Sequence, residues 1–175
     1  ARHFGYAFGQ YLKGGSVVLG RDTRGSGPSL KVTVIEGLKA SGVTEIFDLD
    51  IVTTPTVQIM VREQKAAGGI MISASHNPIQ WNGLKFISAN GIFLDEFEIE
   101  KFFEIYRNAS SPLAPLQYSG EGKSDFSRMG RGEGFDPSLI HTQKVLAQFP
   151  ENTFNKKLKV VVDCCSGSGA VANKV

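Results

Sequence analysis

The stretch that decides the fold occupies residues 68–86 and reads GGIMISASHNPIQWNGLKF. Its apolar run at residues 70–72 has the length and composition of a buried strand. The run ends in small polar residues that lead to His76 and to Asn77-Pro78, a turn signal. We therefore expect Ser75 to lie where a buried strand gives way to a loop, and an open α/β sheet presents its reactive groups at such points.

Lys85 follows Ser75 by ten residues, and a hydroxyl and an ammonium near one strand end favour chemistry on a phosphate or another anion. The nucleophile elbow fits poorly, because it needs G-x-S-x-G and no glycine flanks Ser75. In an extended chain Ser75 and His76 point to opposite faces, which leaves His76 badly placed to accept a proton from Ser75. Ordinary turn chemistry for Ser75 and a solvated strand-end lysine remain open alternatives.

Strand and helix patterns alternate on both sides of this stretch. That alternation predicts an α/β fold with a mixed, mostly parallel sheet and helices on both faces. The predicted elements are a helix from Phe4 closed by Gly14-Gly15, a strand at 16–20, a helix from Pro28, a strand at 45–49, a helix capped by Thr54 and ended by Gly68-Gly69, a hairpin of 84–88 with 92–94, and a helix opened by Asp95.

The composition changes at residues 109–134, which are rich in Gly, Ser and Pro and predict a loop or linker. Beyond it, Leu139 and Ile140 indicate a helix, and residues 157–163 indicate a buried strand followed by a glycine loop. We interpret residues 1–108 as one domain and residues 135–175 as the truncated start of a second α/β domain.

The bulk composition, 41% hydrophobic and 21% charged, is typical of a soluble globular protein. A net charge of +2 without a long basic run makes nucleic acid a poor partner. No apolar stretch has membrane-spanning length, so no membrane partner is expected. The adjacent Cys164 and Cys165 predict no disulfide between them, which favours a reducing, cytoplasmic setting.

Three ordered motifs resemble those of the α-D-phosphohexomutases, the phosphoglucomutase and phosphomannomutase family. SASHNP with the following NGLK resembles the phosphoserine loop, GRDTRGSG at 20–27 the arginine-bearing loop, and TTPTVQ at 53–58 the Thr-Pro helix start. The resemblance covers residues 1–108 and, more weakly, 135–175. It implies an isomerase that moves a phosphoryl group between the 1- and 6-positions of glucose or mannose, through a phosphoserine enzyme and a hexose 1,6-bisphosphate.

The resemblance also implies roles for single residues. Ser75 matches the phosphate carrier, and Lys85 matches a lysine that stabilises charge or helps to move the sugar hydroxyl proton. His76 and Asn77 match residues that orient the loop or bind phosphate.

Arg24 and Arg21 match the arginine loop, and an arginine fork suits a substrate phosphate. A buried ion pair between Arg24 and Asp22 that braces the loop is the open alternative.

The family uses Mg²⁺, with the phosphoserine as one ligand and three aspartates of the second domain as the others. Those aspartates are absent here, and Asp48-Leu49-Asp50 is interpreted as a turn-forming pair. We therefore expect no tight magnesium site in this chain. We also expect the piece to be inactive on its own, with the remaining domains of its parent chain as partners.

Three other functions stay open. A phosphoglucosamine mutase would carry a very similar serine loop, a non-catalytic sugar-phosphate-binding module could retain the loop without turnover, and a generic α/β domain could contain a fortuitous turn.

Overall fold

The computed structural model describes residues 1–109, 135–150, 153 and 159–172, and the fold is given for these ranges. The helices and strands are α1 Arg2–Tyr11, β1 Gly15–Arg21, α2 Gly27–Ala40, β2 Val43–Ile51, α3 Thr54–Glu63, β3 Gly68–Ile72, β4 Leu84–Ser88, α4 Glu96–Ala109, α5 Pro137–Leu146 and α6 Gly169–Ala172. Residues 110–134, almost all of the predicted linker, lie outside the described ranges.

The described strands form one four-stranded sheet in the order β2-β1-β3-β4. β1 is parallel to β2 and to β3, whereas β4 is antiparallel to β3. The predicted α/β fold with a mixed, mostly parallel sheet is confirmed. Because β4 runs in the opposite direction, its first residues lie at the edge where the three parallel strands end. Met71 of β3 pairs with Lys85 there.

Apolar side chains cover both faces of the sheet, so its central strands are buried on both sides. Helices α1, α2 and α4 cover one face, where Phe8, Phe86 and Phe102 form an aromatic cluster. Helix α3 covers the other face through Val57 and Met60. Each fully buried side chain of this size contributes about 1.5–3 kcal/mol to folding. These two layers fix the strand ends that carry the loops.

Two predictions about α3 are wrong. Thr53, not Thr54, is its N-cap, because the Thr53 side-chain oxygen accepts a hydrogen bond from the Thr56 amide. Gly68 and Gly69 do not end the helix; they open β3 and are buried. A Cβ on Gly69 would lie 2.6 Å from Val61 Cγ2, so glycine is needed there for close helix–strand packing.

The buried strand predicted at 157–163 is also not found in its described part. Residues 159–163 carry no regular structure, and Val161 is 97% exposed. A strand needs a partner for its backbone hydrogen bonds, and in the described ranges none pairs with this segment. Residues 92–94, predicted as the second strand of a hairpin, do pair with β4, through the antiparallel bridge between Ile87 and Phe93 and the backbone hydrogen bonds that flank it, but they do not form a regular strand.

In the described ranges, no helix combines the length and the apolar character needed to cross a bilayer.

Candidate functional site

A cavity of about 590 Å³ opens at the carboxyl edge of the parallel strands. Four parts of the chain line it: the loop after β1, the start of α3 at Thr54, the loop after β3 with the neighbouring Lys85, and residues 164–168. This is the edge at which open α/β sheets bind ligands. The sheet topology therefore brings together groups that are far apart in the sequence.

Ser75 lies on this cavity, in the loop that joins β3 to β4, and is exposed. Its backbone adopts φ 57°, a left-handed conformation that is uncommon outside glycine. The Ser75 amide donates a hydrogen bond to Ser73 Oγ (3.1 Å), and the Asn77 amide donates to the Ala74 carbonyl (3.1 Å). The hydroxyl is thus presented to solvent from a tightly turned backbone.

Lys85 lines the same cavity and is half-buried. Three charged side chains of the described residues line it: Asp22, Arg24 and Lys85. Asp22 and Arg24 form an ion pair of 3.0 Å, whereas Lys85 forms no ion pair within the described ranges. The cavity consequently has a net positive lining, as a phosphate site needs.

The Arg24 guanidinium is buried and all five of its N–H groups are used. Nε donates to Asp22 Oδ2 (3.0 Å). Nη1 donates to the carbonyls of Pro78 (2.6 Å) and Trp81 (3.1 Å). Nη2 donates to the carbonyls of Ser75 (2.9 Å) and Asn77 (2.7 Å). The alternative in which Arg24 braces the loop with Asp22 is therefore present in the structure, and substrate binding by Arg24 stays a prediction.

Arg21 is not among the residues that line the cavity. Its Nε donates to Asp50 Oδ1 (2.9 Å), and Lys31 Nζ donates to the same oxygen (3.1 Å). Burial alone would raise the pKa of the Asp50 carboxyl, but the hydrogen bond and charge of Lys31, with those of Arg21, outweigh it and hold that pKa below its ordinary value. Substrate binding by Arg21 stays a prediction.

Asn77 lines the cavity, whereas His76 is exposed beside it and has no side-chain hydrogen bond within the described ranges. Their predicted phosphate contacts stay predictions. Sequence reasoning did not assign Ser73, Thr54 or residues 164–168 to the site. The glycine loop after residue 163 was the one available signal for the last group, and it did not indicate where that loop would lie.

The described residues contain no group of three His, Cys, Asp or Glu side chains that could hold a metal ion. Asp48 and Asp50 pair with Lys31, and Asp22 pairs with Arg24. Since Mg²⁺ takes several oxygen ligands, Ser75 could supply only one through a phosphate.

The family model for phosphoglucomutase/phosphomannomutase, alpha/beta/alpha domain I, matches residues 1–112. A probable phosphoglucosamine mutase of Methanopyrus kandleri is 32% identical over 98% of this chain and 35% of its own length. A phosphoglucosamine mutase of Latilactobacillus sakei is 37% identical over 87% of this chain and 32% of its own length.

Among solved structures, a putative phosphomannomutase from Thermus thermophilus matches with a TM-score of 0.57 and 34% identity, over 60% of this chain and 25% of that chain. The chain thus spans about a third of the length of the curated relatives that it matches. The matched residues 1–112 contain the whole sheet, the Ser75 loop, Arg24 and Lys85. On this evidence the chain belongs to the phosphoglucomutase/phosphomannomutase family, the α-D-phosphohexomutases.

Proposed function

We propose that the complete protein interconverts hexose 1-phosphate and hexose 6-phosphate, with Ser75 as the carrier of the exchanged phosphoryl group. The observation that supports this most is the exposed hydroxyl of Ser75 on the rim of a cavity that also contains Lys85, which has no ion pair among the described residues. A covalent carrier divides one difficult transfer into two matched ones.

In the first transfer the bond from phosphorus to Ser75 Oγ breaks while a bond from phosphorus to a sugar hydroxyl oxygen forms, and the proton of that hydroxyl ends on Ser75 Oγ. The product is a hexose 1,6-bisphosphate, and return of its other phosphate to Ser75 completes the isomerisation. A phosphoserine carries about −1.5 to −2 charge at neutral pH. Lys85 would stabilise the charge on the phosphoryl oxygens or help to move the proton of the sugar hydroxyl.

Magnesium belongs to the proposal as a group that would neutralise phosphate charge, with the Ser75 phosphate as one ligand. Its other ligands would come from outside the described residues, together with the domains that complete the sugar site.

The sugar is proposed from the relatives. The sequence relatives named above are phosphoglucosamine mutases, which favours glucosamine phosphate as the first substrate to test. The structural relative is a putative phosphomannomutase, so mannose and glucose phosphates form the comparison series. A sugar-phosphate-binding module without turnover is the second candidate, supported by the same cavity.

The complete protein tests the proposal directly. Intact-mass measurement should find one phosphate on Ser75, and incubation with the hexose phosphate should exchange it. Ser75→Ala should abolish turnover, whereas Ser29→Ala, on the exposed side of α2, should leave it unchanged. Turnover that falls only a fewfold in Ser75→Ala would contradict the carrier role and favour the binding module.

A further inference from the structure

The loop that carries Ser75 makes few contacts of its own that fix its conformation. Its residues 75–81 are all exposed, so apolar burial does not fix them. Its internal backbone hydrogen bonds are few, from Asn77 to Ala74 and from Trp81 to Pro78. Ser75 also occupies a left-handed conformation that costs about 1–2 kcal/mol in a non-glycine residue. A loop of this kind needs support from outside itself.

That support comes from the loop after β1. Four carbonyls of the Ser75 loop converge on the Arg24 guanidinium, and one of them belongs to Ser75 itself. A second link runs from Asn82 Nδ2, which donates to Ser26 Oγ (2.9 Å). The two loops are therefore fixed to each other at the mouth of the cavity, mainly through one side chain.

The same contacts leave Arg24 no donor for a substrate. Binding a phosphate would require Arg24 to release carbonyls of the Ser75 loop, which would remove the contacts that hold that loop. Asp22 also neutralises its charge. Within the described residues, Lys85 has no ion pair and does not hold another loop. Lys85 and Arg24 therefore have different tasks.

We infer that Arg24 is a positioning residue: it holds the Ser75 loop in the geometry for phosphoryl transfer and does not bind the hexose phosphate. This inference rests on the proposed function of Ser75. Since a displacement of about 1 Å can cost about 100-fold in rate, loosening the loop would reduce chemistry more than binding.

The test is Arg24→Lys in the complete protein, because lysine keeps the charge for Asp22 but has only three donors at one point. We expect kcat to fall on the order of 100-fold, with KM for the hexose phosphate changed by less than about twofold. Hydrogen exchange should become faster for the amides of residues 73–83 and remain unchanged in β1 and β3. Arg62→Lys, an exposed arginine on α3, is the matched control and should change neither readout.

A double variant, Asp22→Asn with Arg24→Gln, removes both charges of the buried pair together, so that no single buried charge is left without its partner. It therefore controls for misfolding caused by an unpaired buried charge. It should show the same pattern of low kcat, unchanged KM and fast loop exchange. A raised KM with unchanged kcat in either variant would assign Arg24 to substrate binding instead. Unchanged loop exchange in both would overturn the inference. If the wild-type protein has no mutase activity, the proposed function fails, while hydrogen exchange still decides whether Arg24 holds the loop.

Discussion

Lys85 sets the charge of the cavity, because the other two charged side chains that line it neutralise each other. It is half-buried on β4 and has no ion pair among the described residues. Removing its ammonium should therefore destabilise the transition state of the proposed phosphoryl transfer without breaking an ion pair among the described residues. Lys85 differs in this respect from Arg24, whose guanidinium donates all of its hydrogen bonds to other residues of the protein.

Lys85→Met keeps the aliphatic stem and deletes the charge. We expect kcat of the complete protein to fall by about 10²–10³-fold, the usual cost of removing a group that stabilises developing charge. The unfolding free energy should stay within about 0.5 kcal/mol of the wild type. Steady-state kinetics and urea unfolding measure the two quantities, and Lys101→Met on the exposed surface of α4 is the control. Retained kcat in Lys85→Met would exclude Lys85 from the transfer.

Single residues of the site differ in how far the sequence predicts them. The shared position of Ser75 and Lys85 at one edge of the sheet was predictable, because a strand end and the turn at Asn82-Gly83 place residues ten apart close together. Their roles in phosphoryl transfer stay predictions. The main-chain targets of Arg24 were not predictable, because they are carbonyls 51 to 57 residues away, whereas its ion pair with Asp22 was one of the two alternatives that the sequence offered. Main-chain acceptors are the same for every residue type, so they leave no pattern in the sequence.

At the scale of elements, two glycines of the sheet lie in close contact with side chains of α3. A Cβ at Gly20 would lie 2.6 Å from Val57 Cγ2, and one at Gly69 the same distance from Val61 Cγ2. The alternation of apolar patterns correctly predicted that a helix and a strand meet here. It did not indicate that Gly68 and Gly69 belong to strand β3, because glycine occurs both at helix ends and where two elements pack closely. The missing strand at 159–163 has a different cause, since strand pairing depends on non-local partners.

Gly69→Ala tests this close packing. The added methyl must displace Val61 in a filled core, so we expect a loss of about 1–3 kcal/mol in the free energy of unfolding. Gly25→Ala is the matched control, because a Cβ there meets no atom within 4 Å. Chemical denaturation of both variants gives the comparison. Equal stability of the two variants would mean that α3 can move away from β3 without cost.

At the scale of the whole molecule, α5 contacts α3, the helix that covers one face of the four-stranded sheet. Thr56 Oγ1, which is fully buried, hydrogen-bonds to His141 Nδ1 (2.9 Å). Lys144 Nζ donates to Glu63 Oε1 (2.8 Å), with both side chains more than a third exposed. The contact therefore combines a part-buried hydrogen bond and an exposed ion pair with apolar packing of Ile140 against the buried cluster to which α3 contributes. Of the two polar contacts, only the hydrogen bond should matter for stability. The hydrogen bond of Thr56 is relevant to the site, since the same end of α3 places Thr54 on the cavity.

His141→Ala should lower the unfolding free energy by about 0.5–1.5 kcal/mol, because it removes one partner of a buried hydroxyl. For a protein of this size a loss of about 1 kcal/mol lowers Tm by about 2–4 °C. Lys144→Ala removes the exposed ion pair on the same helix and should cost no more than about 0.5 kcal/mol, since such pairs are screened by solvent. Thermal unfolding of both variants at low and at high salt distinguishes the two contacts. Only the Tm shift caused by Lys144→Ala should shrink as salt rises, because salt screens the ion pair. A salt-dependent shift larger for Lys144→Ala than for His141→Ala would show that the exposed ion pair stabilises α5 against α3 more than the Thr56 hydrogen bond does.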